Sequence, residues 1–201
     1  MVYTLTYFEL KGRGEPIRLI AEFGKIEYKN DIVPYDQWLE KKKKTKFGHV
    51  PYVTDEDGFV INESVAICRH FAKAGGLYPK DDREQTISDQ WVDALSDWSK
   101  SFTVPIQFKS TEEEIPQKIK KLTEETAPQF FDVIEKDLNE DGHFFDKLSW
   151  ADLYLFHTAS PDFLKPVVDE RPKLKKLMEE VYNSDTYKKY KSSDRYINSD
   201  K

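Results

Sequence analysis

Cysteine occurs once in the 201 residues, at Cys68, and histidine four times. A single thiol excludes an intramolecular disulfide framework and any multi-cysteine metal cluster. The histidines, at 49, 70, 143 and 157, show no metal-ligand spacing such as H-E-x-x-H, so no metal is expected. Positive charge is in deficit as well: 31 Lys and Arg stand against 37 Asp and Glu, a net charge of -6. That balance argues against a protein built to hold nucleic-acid backbone, which needs a basic footprint. No stretch approaches the roughly 20 apolar residues of a membrane-crossing helix. The opening MVYTLTYFELKGRG lacks the apolar core of a signal peptide. No membrane association and a cytoplasmic location, in a reducing cytosol, are the expectation. Glycine is sparse, and its placement excludes two nucleotide loops. No G-x-x-x-x-G-K-[ST] occurs, and Gly12-x-Gly14 fails as a dinucleotide fingerprint because Ile17 stands at the third glycine position.

Aromatic residues are plentiful, with 13 Phe, 11 Tyr and 4 Trp; disordered chains rarely carry so many. Hydrophobic residues at 38% and charged residues at 34% describe a polar but globular chain, long enough for one large domain or two small ones.

The first part of the chain alternates element types. Tyr3 to Phe8 reads as a strand with Tyr3, Leu5 and Tyr7 on one face. Gly12 and Gly14 punctuate the loop after it. Pro16 then opens a helical stripe of Ile17, Leu19, Ile20 and Phe23 that ends at Gly24. Tyr28 to Val33 reads as a second strand, and Tyr35 to Lys44 as a short amphipathic stretch. Asp55-Glu56-Asp57-Gly58 joins two short strands as a hairpin. Ser64 to Ala74 follows as a helix closed by Gly75-Gly76. The order βαβ then ββα is a thioredoxin-like plan, assigned to residues 1–76. LYPKDD, residues 77–82, reads as a linker.

Beyond it, strand signals mostly vanish. Ile87, Trp91, Ala94, Leu95 and Trp98 recur at helical spacing, as do Ile119, Leu122, Phe130, Phe131, Ile134 and Leu138. Ser149-Trp150-Ala151-Asp152 has the form of a capping box opening an apolar helix. Pro172 to Tyr182 is a further helix. The tail YKKYKSSDRYINSDK is weakly periodic, and its last residues are expected to fray. The fold class expected is therefore α/β plus all-α, with an all-helical domain over 83–201.

Tyr7-Phe8 and Gly12-Arg13-Gly14-Glu15-Pro16-Ile17-Arg18 resemble the N-terminal signature of the sigma-class glutathione transferases, a group that includes prostaglandin D synthases. Trp38, Phe47-Gly48-His49-Val50-Pro51, Glu63-Ser64 and Ser149-Trp150-Ala151-Asp152 recur in that family's order and spacing. The resemblance extends to about residue 182. One departure stands out: Glu63 occupies a position where sigma-class members usually carry Gln.

The resemblance implies a glutathione thiolate as nucleophile, glutathione as co-substrate and no permanently bound cofactor. A thiol of pKa about 8.5 is only a few per cent ionised at neutral pH. Lowering that pKa by about two units takes roughly 2.7 kcal/mol of preferential thiolate stabilisation. A preorganised hydroxyl at a strand end supplies such stabilisation. Tyr7 resembles the family's donor, with Arg13 as the supporting positive charge; Tyr3, at the other end of the same face, is the local competitor. Val50-Pro51 holds the position of a cis proline whose preceding backbone receives the tripeptide as an added strand. Glu63 and Ser64 lie where a helix N-terminus meets the γ-glutamyl group. Trp38 and Lys42 resemble the grip on the glycine carboxylate, while the rest of the lysine run 41–44 and 46 reads as a solvated face. His49 is placed near the tripeptide backbone.

In the helical domain the resemblance assigns Asp97 to the partner's glutathione across a homodimer, and Arg69 to the dimer contact. Phe8, Arg13, Phe102 and Tyr154 are the implied lining for a hydrophobic electrophile. Ser149 and Asp152 serve the fold, and Cys68 reads as a buried small hydrophobe. Three activities share these residues: conjugation of glutathione to electrophiles, glutathione-dependent prostaglandin isomerisation, and non-catalytic carriage of hydrophobic ligands.

Overall fold

The computed structural model of the chain describes residues 1–198, Phe108 by its backbone alone. Strand β1, Tyr3–Tyr7, lies inside a four-stranded sheet ordered β2-β1-β3-β4. Its alternating face is buried as expected: Tyr3 and Tyr7 are 7% exposed and Leu5 is fully buried. Helix α1, Glu15–Phe23, starts with Pro16 in its first turn and stops at Gly24. It returns the chain to β2, Tyr28–Ile32, which pairs parallel to β1 with Tyr7 opposite Ile32. After the short helix α2, Trp38–Lys42, come β3, Tyr52–Thr54, and β4, Val60–Asn62. Both pair antiparallel to their neighbours. The hairpin turn is fixed by Asp55, whose Oδ1 accepts the Asp57 N–H at 3.0 Å and the Phe59 N–H at 2.9 Å. Helix α3, Ser64–Ala74, buries Ile67, Cys68 and Phe71 and packs beside α1.

The chain divides into two units. The second, Pro79–Ser184, is all helical among its described residues. It contains α4 (Asp82–Ser101), α5 (Thr103–Phe108), α6 (Ile115–Lys121) and α7 (Ala127–Asp137). A single wider turn, Leu122–Thr126, joins α6 to α7. Then follow α8 (Trp150–Ala159), α9 (Lys165–Asp169) and α10 (Pro172–Asn183). Asp81 caps α4 by accepting the N–H groups of Arg83 and Glu84 at 2.9 and 3.1 Å. Helix α8 is apolar on every side, and Trp150, Leu153 and Leu155 are fully buried, so it forms the centre of this unit. Its capping box is present, as the sequence indicated. Asp152 accepts the Ser149 N–H at 2.7 Å and the Phe144 N–H at 2.8 Å. The Trp150 indole donates to Ser88 Oγ at 3.1 Å, tying α8 to α4.

The tail departs from expectation. The chain from Asp185 groups with the first unit, Met1–Tyr78, although the sequence assigned it to the helical domain. It forms α11, Asp185–Lys191, with Tyr187 8% and Tyr190 1% exposed. Its periodicity is weak because few of its residues face inward, yet those that do are large aromatics with polar tips. The expected fraying is thus absent up to Ile197, which is 7% exposed, and for the last three residues it lies outside the described chain.

Candidate active site

Tyr7 closes β1, where its carbonyl accepts the Val33 N–H at 2.9 Å and fixes the strand end. The loop that follows folds back over its ring. The Arg13 N–H donates to the Tyr7 hydroxyl oxygen at 3.1 Å. Two glycines make this wrap possible. Gly12 holds φ +36°, and a Cβ there would stand 2.8 Å from the Tyr7 hydroxyl. A Cβ on Gly14 would stand 2.7 Å from Tyr7 Cδ1.

Burial pushes the Tyr7 pKa above that of a free phenol; the Arg13 N–H bond and the charges of Arg13 and Arg18 pull the other way. The phenol therefore stays protonated at neutral pH. With its oxygen already accepting from Arg13, it is polarised to donate its proton outward to an anion rather than to act as a base. Arg13 is exposed, beside the hydroxyl it serves. Tyr3, the competitor, is engaged elsewhere: its hydroxyl meets His70 Nε2 at 2.9 Å.

Around the Tyr7 end of the strand, the structure gathers most of the residues named from sequence in the first unit. Phe8 packs against Tyr7 with ring centroids at 5.7 Å and meets Trp38 edge-on at 5.4 Å and Tyr35 at 5.8 Å. Trp38 begins α2, half-buried, and Lys42 ends it, exposed. The neighbours of Lys42 are occupied: Lys41 pairs with Asp31 at 2.8 Å and Lys43 with Glu40 at 2.7 Å. The Val50-Pro51 peptide is cis. The register of Thr6 opposite Tyr52 brings it beside the end of β1.

Glu63 precedes α3 at φ +69°, a left-handed conformation uncommon for a residue with a side chain. Its backbone carbonyl accepts the Ile67 N–H at 3.0 Å, while no side chain caps the helix. The first-turn N–H groups and Ser64 thus form an end suited to a carboxylate. The Glu63 carboxylate meets His49 Nε2 at 2.7 Å, and His49 Nδ1 meets the Phe47 carbonyl at 3.0 Å. His49 thus bridges the β3 approach to the start of α3.

Asp97, Phe102 and Tyr154 belong to the second unit. Asp97 is exposed and pairs with Lys100 at 3.1 Å. Phe102 is 36% exposed and packs tilted against Trp98, with ring centroids at 5.6 Å. Tyr154 is 5% exposed within α8. Cys68 is fully buried, and burial pushes its thiol pKa up, which suits a packing residue and not a nucleophile. Arg69 lies half-buried on α3. Among the described residues no cluster of three His, Cys, Asp or Glu side chains offers a metal site. None of the described helices is long and apolar enough to cross a membrane.

Sequence reasoning missed the group directly behind Tyr7. Arg18, fully buried in α1, pairs with Glu15 at 3.1 Å, and Tyr190 of the tail donates to Glu15 at 3.0 Å. The available signal was an acid and an arginine three residues apart within the apolar stripe at the start of the helix.

A thioredoxin-like unit with a buried, polarised tyrosine at a strand end, together with a separate helical unit, fits the class that the resemblance implied, transferases that use a tripeptide thiol. Comparison with known proteins makes the class specific. Residues 14–74 match the family described as "Glutathione S-transferase, N-terminal domain", and residues 96–194 match "Glutathione S-transferase, C-terminal domain". The chain is 30% identical over 201 residues to "Glutathione S-transferase P" of Caenorhabditis elegans, covering 98% of this chain and 96% of that one. It is 31% identical over 154 residues to "Glutathione S-transferase S1" of Drosophila melanogaster, covering 76% of this chain and 61% of that protein. The solved structure of prostaglandin synthase D of Nilaparvata lugens matches with a TM-score of 0.84 at 26% identity, covering 98% of this chain and 100% of that one. The chain belongs to the glutathione S-transferase family, and it is a transferase enzyme that uses glutathione as co-substrate.

Proposed function

We propose that Tyr7 is the catalytic hydroxyl of this transferase, donating to the glutathione thiolate while Arg13 supplies the adjacent positive charge. The observation that carries this reading is the Arg13 N–H to Tyr7 oxygen bond of 3.1 Å on a buried phenol at the end of β1. The thiol proton leaves to solvent, and the sulfur lone pair forms a carbon–sulfur bond to an electrophilic carbon. The leaving group departs with its bonding pair, or an activated double bond takes up the electrons. Hydrophobic electrophiles fit the apolar surface that Phe8 contributes; Phe102 and Tyr154 are the residues proposed for the rest of it.

Glutathione binding is assigned to Tyr7, Trp38, Lys42, His49, Val50, Pro51, Glu63 and Ser64, with Asp97 acting across a homodimer. The open N-terminus of α3 supports this assignment. A sigma-class position and a cytoplasmic location complete the reading. The Gly-Arg-Gly-Glu-Pro-Ile-Arg signature supports the class, and Glu63 in place of Gln marks its departure.

The test is Tyr7→Phe assayed with glutathione and an aryl halide. Loss of an oxyanion-type donor is expected to lower kcat/KM by about 10²-fold. Glutathione affinity, measured by calorimetry, should change little. Unchanged turnover overturns the assignment. A second reading, glutathione-dependent isomerisation of a prostaglandin endoperoxide, is favoured by the likeness to the Nilaparvata lugens protein. Turnover of prostaglandin H2 in the same assay series distinguishes it from conjugation.

A further inference from the structure

Arg18 is a buried cation with an unusual set of partners. Its side chain is fully inaccessible, yet Nη2 has no hydrogen-bond partner. Its Nη1 donates to Glu15 at 3.1 Å and to the Leu10 carbonyl at 3.4 Å, and its Nε donates to Asn30 Oδ1 at 3.1 Å. A missing methyl separates it from the catalytic phenol. The Cβ position of Gly14 lies 2.7 Å from Tyr7 Cδ1 on one side and 3.0 Å from Arg18 Nη2 on the other. The unpartnered Nη2 is therefore the guanidinium atom that comes nearest this position beside the Tyr7 ring.

The opposite end is held by the tail. Tyr190 donates its hydroxyl to Glu15, at 3.2 and 3.0 Å from the two carboxylate oxygens. The Arg195 carbonyl accepts the Asn30 amide at 2.9 Å, which orients the Asn30 oxygen toward Arg18. The Arg195 guanidinium pairs with Glu22 at 2.8 Å and lies over the Tyr28 ring. Contacts 165 to 175 residues apart in sequence thus converge on one α1 arginine.

We propose that Arg18 is a positioning residue for catalysis: its charge, offset by Glu15 under the control of the tail residue Tyr190, sets how readily the Tyr7 site holds a thiolate. This rests on Tyr7 being the thiolate donor. The charged and titratable groups that face the Arg18–Glu15 pair are Lys11 from the loop, Tyr7 from β1, Tyr28 from β2, and Tyr190 from the tail. Arg18 favours the anionic form at Tyr7. Burial pushes the Glu15 pKa up, and the Arg18 charge and the Tyr190 hydrogen bond counter that rise. Without the Tyr190 donor, Glu15 takes up a proton at higher pH. A neutral Glu15 no longer offsets Arg18, and the thiolate at Tyr7 gains stability.

The sign distinguishes this from a structural role. Glu15→Gln and Tyr190→Phe should lower the apparent pKa of the acidic limb of the kcat/KM profile; Arg18→Met should raise it. Shifts of about half a unit to two units are expected for a charge at this distance in a partly buried site. Arg18→Lys, which keeps the charge and loses the fork, should hold the profile near its parent position.

The experiment measures full pH profiles, and the pH titration of thiolate absorbance for enzyme-bound glutathione, on the full-length protein and these four variants. Tyr7→Phe is run in parallel. Shifts of opposite sign for Glu15→Gln and Arg18→Met support the proposal. Profiles that stay in place, or that all move together, overturn it. Tyr190→Phe removes only one oxygen atom, so it keeps the test open if Arg18→Met or Glu15→Gln fails to fold; an unmoved Tyr190→Phe profile overturns the role of the tail. Full turnover by Tyr7→Phe overturns the underlying reading instead, so the two failures are told apart.

Discussion

At Tyr7 the limiting quantity is space around one ring. In the role proposed for it, its hydroxyl has to present a proton at a fixed point, and an error of about 1 Å in such a position costs on the order of 10²-fold in rate. Gly14 has an ordinary φ of -79°, so alanine is tolerated there by the backbone. The obstacle is the 2.7 Å approach to Tyr7 Cδ1, a ring atom that cannot rotate away as a flexible chain end would. Gly14→Ala is therefore expected to push the phenol off its position. Turnover with an aryl halide should fall by about 10- to 100-fold while glutathione affinity, which in the proposed site draws also on α2 and α3, changes far less. Steady-state kinetics beside calorimetric glutathione binding checks the split; equal losses in both would show that the clash is absorbed by the loop as a whole. The sequence marked Gly12 and Gly14 as loop punctuation and as part of a family signature, without a physical reason for either. That they are small because a tyrosine ring lies against them needed the third dimension.

Among the elements, those with local signals were legible in the sequence. Helix α1 has Pro16 at its start, an apolar stripe and Gly24 at its end, and the structure places it as that pattern indicates. The hairpin follows from Asp55 and Gly58, and α8 from its capping box. The last case lends itself to measurement. Asp152 is fully buried and serves as acceptor for two backbone N–H groups and for the Ser149 hydroxyl. Asp152→Ala leaves those donors inside the protein without partners, at roughly 1 to 3 kcal/mol each. A loss of about 3 kcal/mol or more in unfolding free energy is expected by urea titration. Ser149→Ala removes one partner of the network and should cost about 1 kcal/mol, the usual worth of a cap. A smaller loss for Asp152→Ala than for Ser149→Ala would contradict the accounting. For the candidate site, the legible part is where its residues stand on the elements. Tyr7, Val50, Pro51, Glu63 and Ser64 sit at the ends of predictable elements. Lys42 and His49 are less legible, since their partners depend on how a lysine-rich stretch and a loop are draped.

Across the whole molecule the two ends of the chain meet in one unit, and no window of sequence shows this. A pattern search along YKKYKSSDRYINSDK finds too few apolar residues to declare a packed helix. The stabilising contacts are instead few, large and partly polar: the Tyr187 and Tyr190 rings, the Tyr190–Glu15 bond, and the Arg195–Glu22 pair at 2.8 Å. Tyr190 and Arg195 thereby supply partners to two carboxylates of α1, the buried Glu15 and the partly buried Glu22. Truncation after Ser184 therefore removes two buried aromatic side chains, Tyr187 and Tyr190, each worth about 1.5 to 3 kcal/mol of burial. It also strips a partner from Glu15 and from Glu22. Native-state hydrogen exchange should show the amides of α1 and β2 losing protection by about 10²-fold or more, because local opening of these elements no longer has to displace the tail. The amides of α8 lie inside the other unit, with their own core of Trp150, Leu153 and Leu155, and are the internal reference. If α1 keeps its protection without the tail, the buried pair of Glu15 and Arg18 is self-sufficient, and the tail is an ornament on a unit already complete from Met1 to Tyr78.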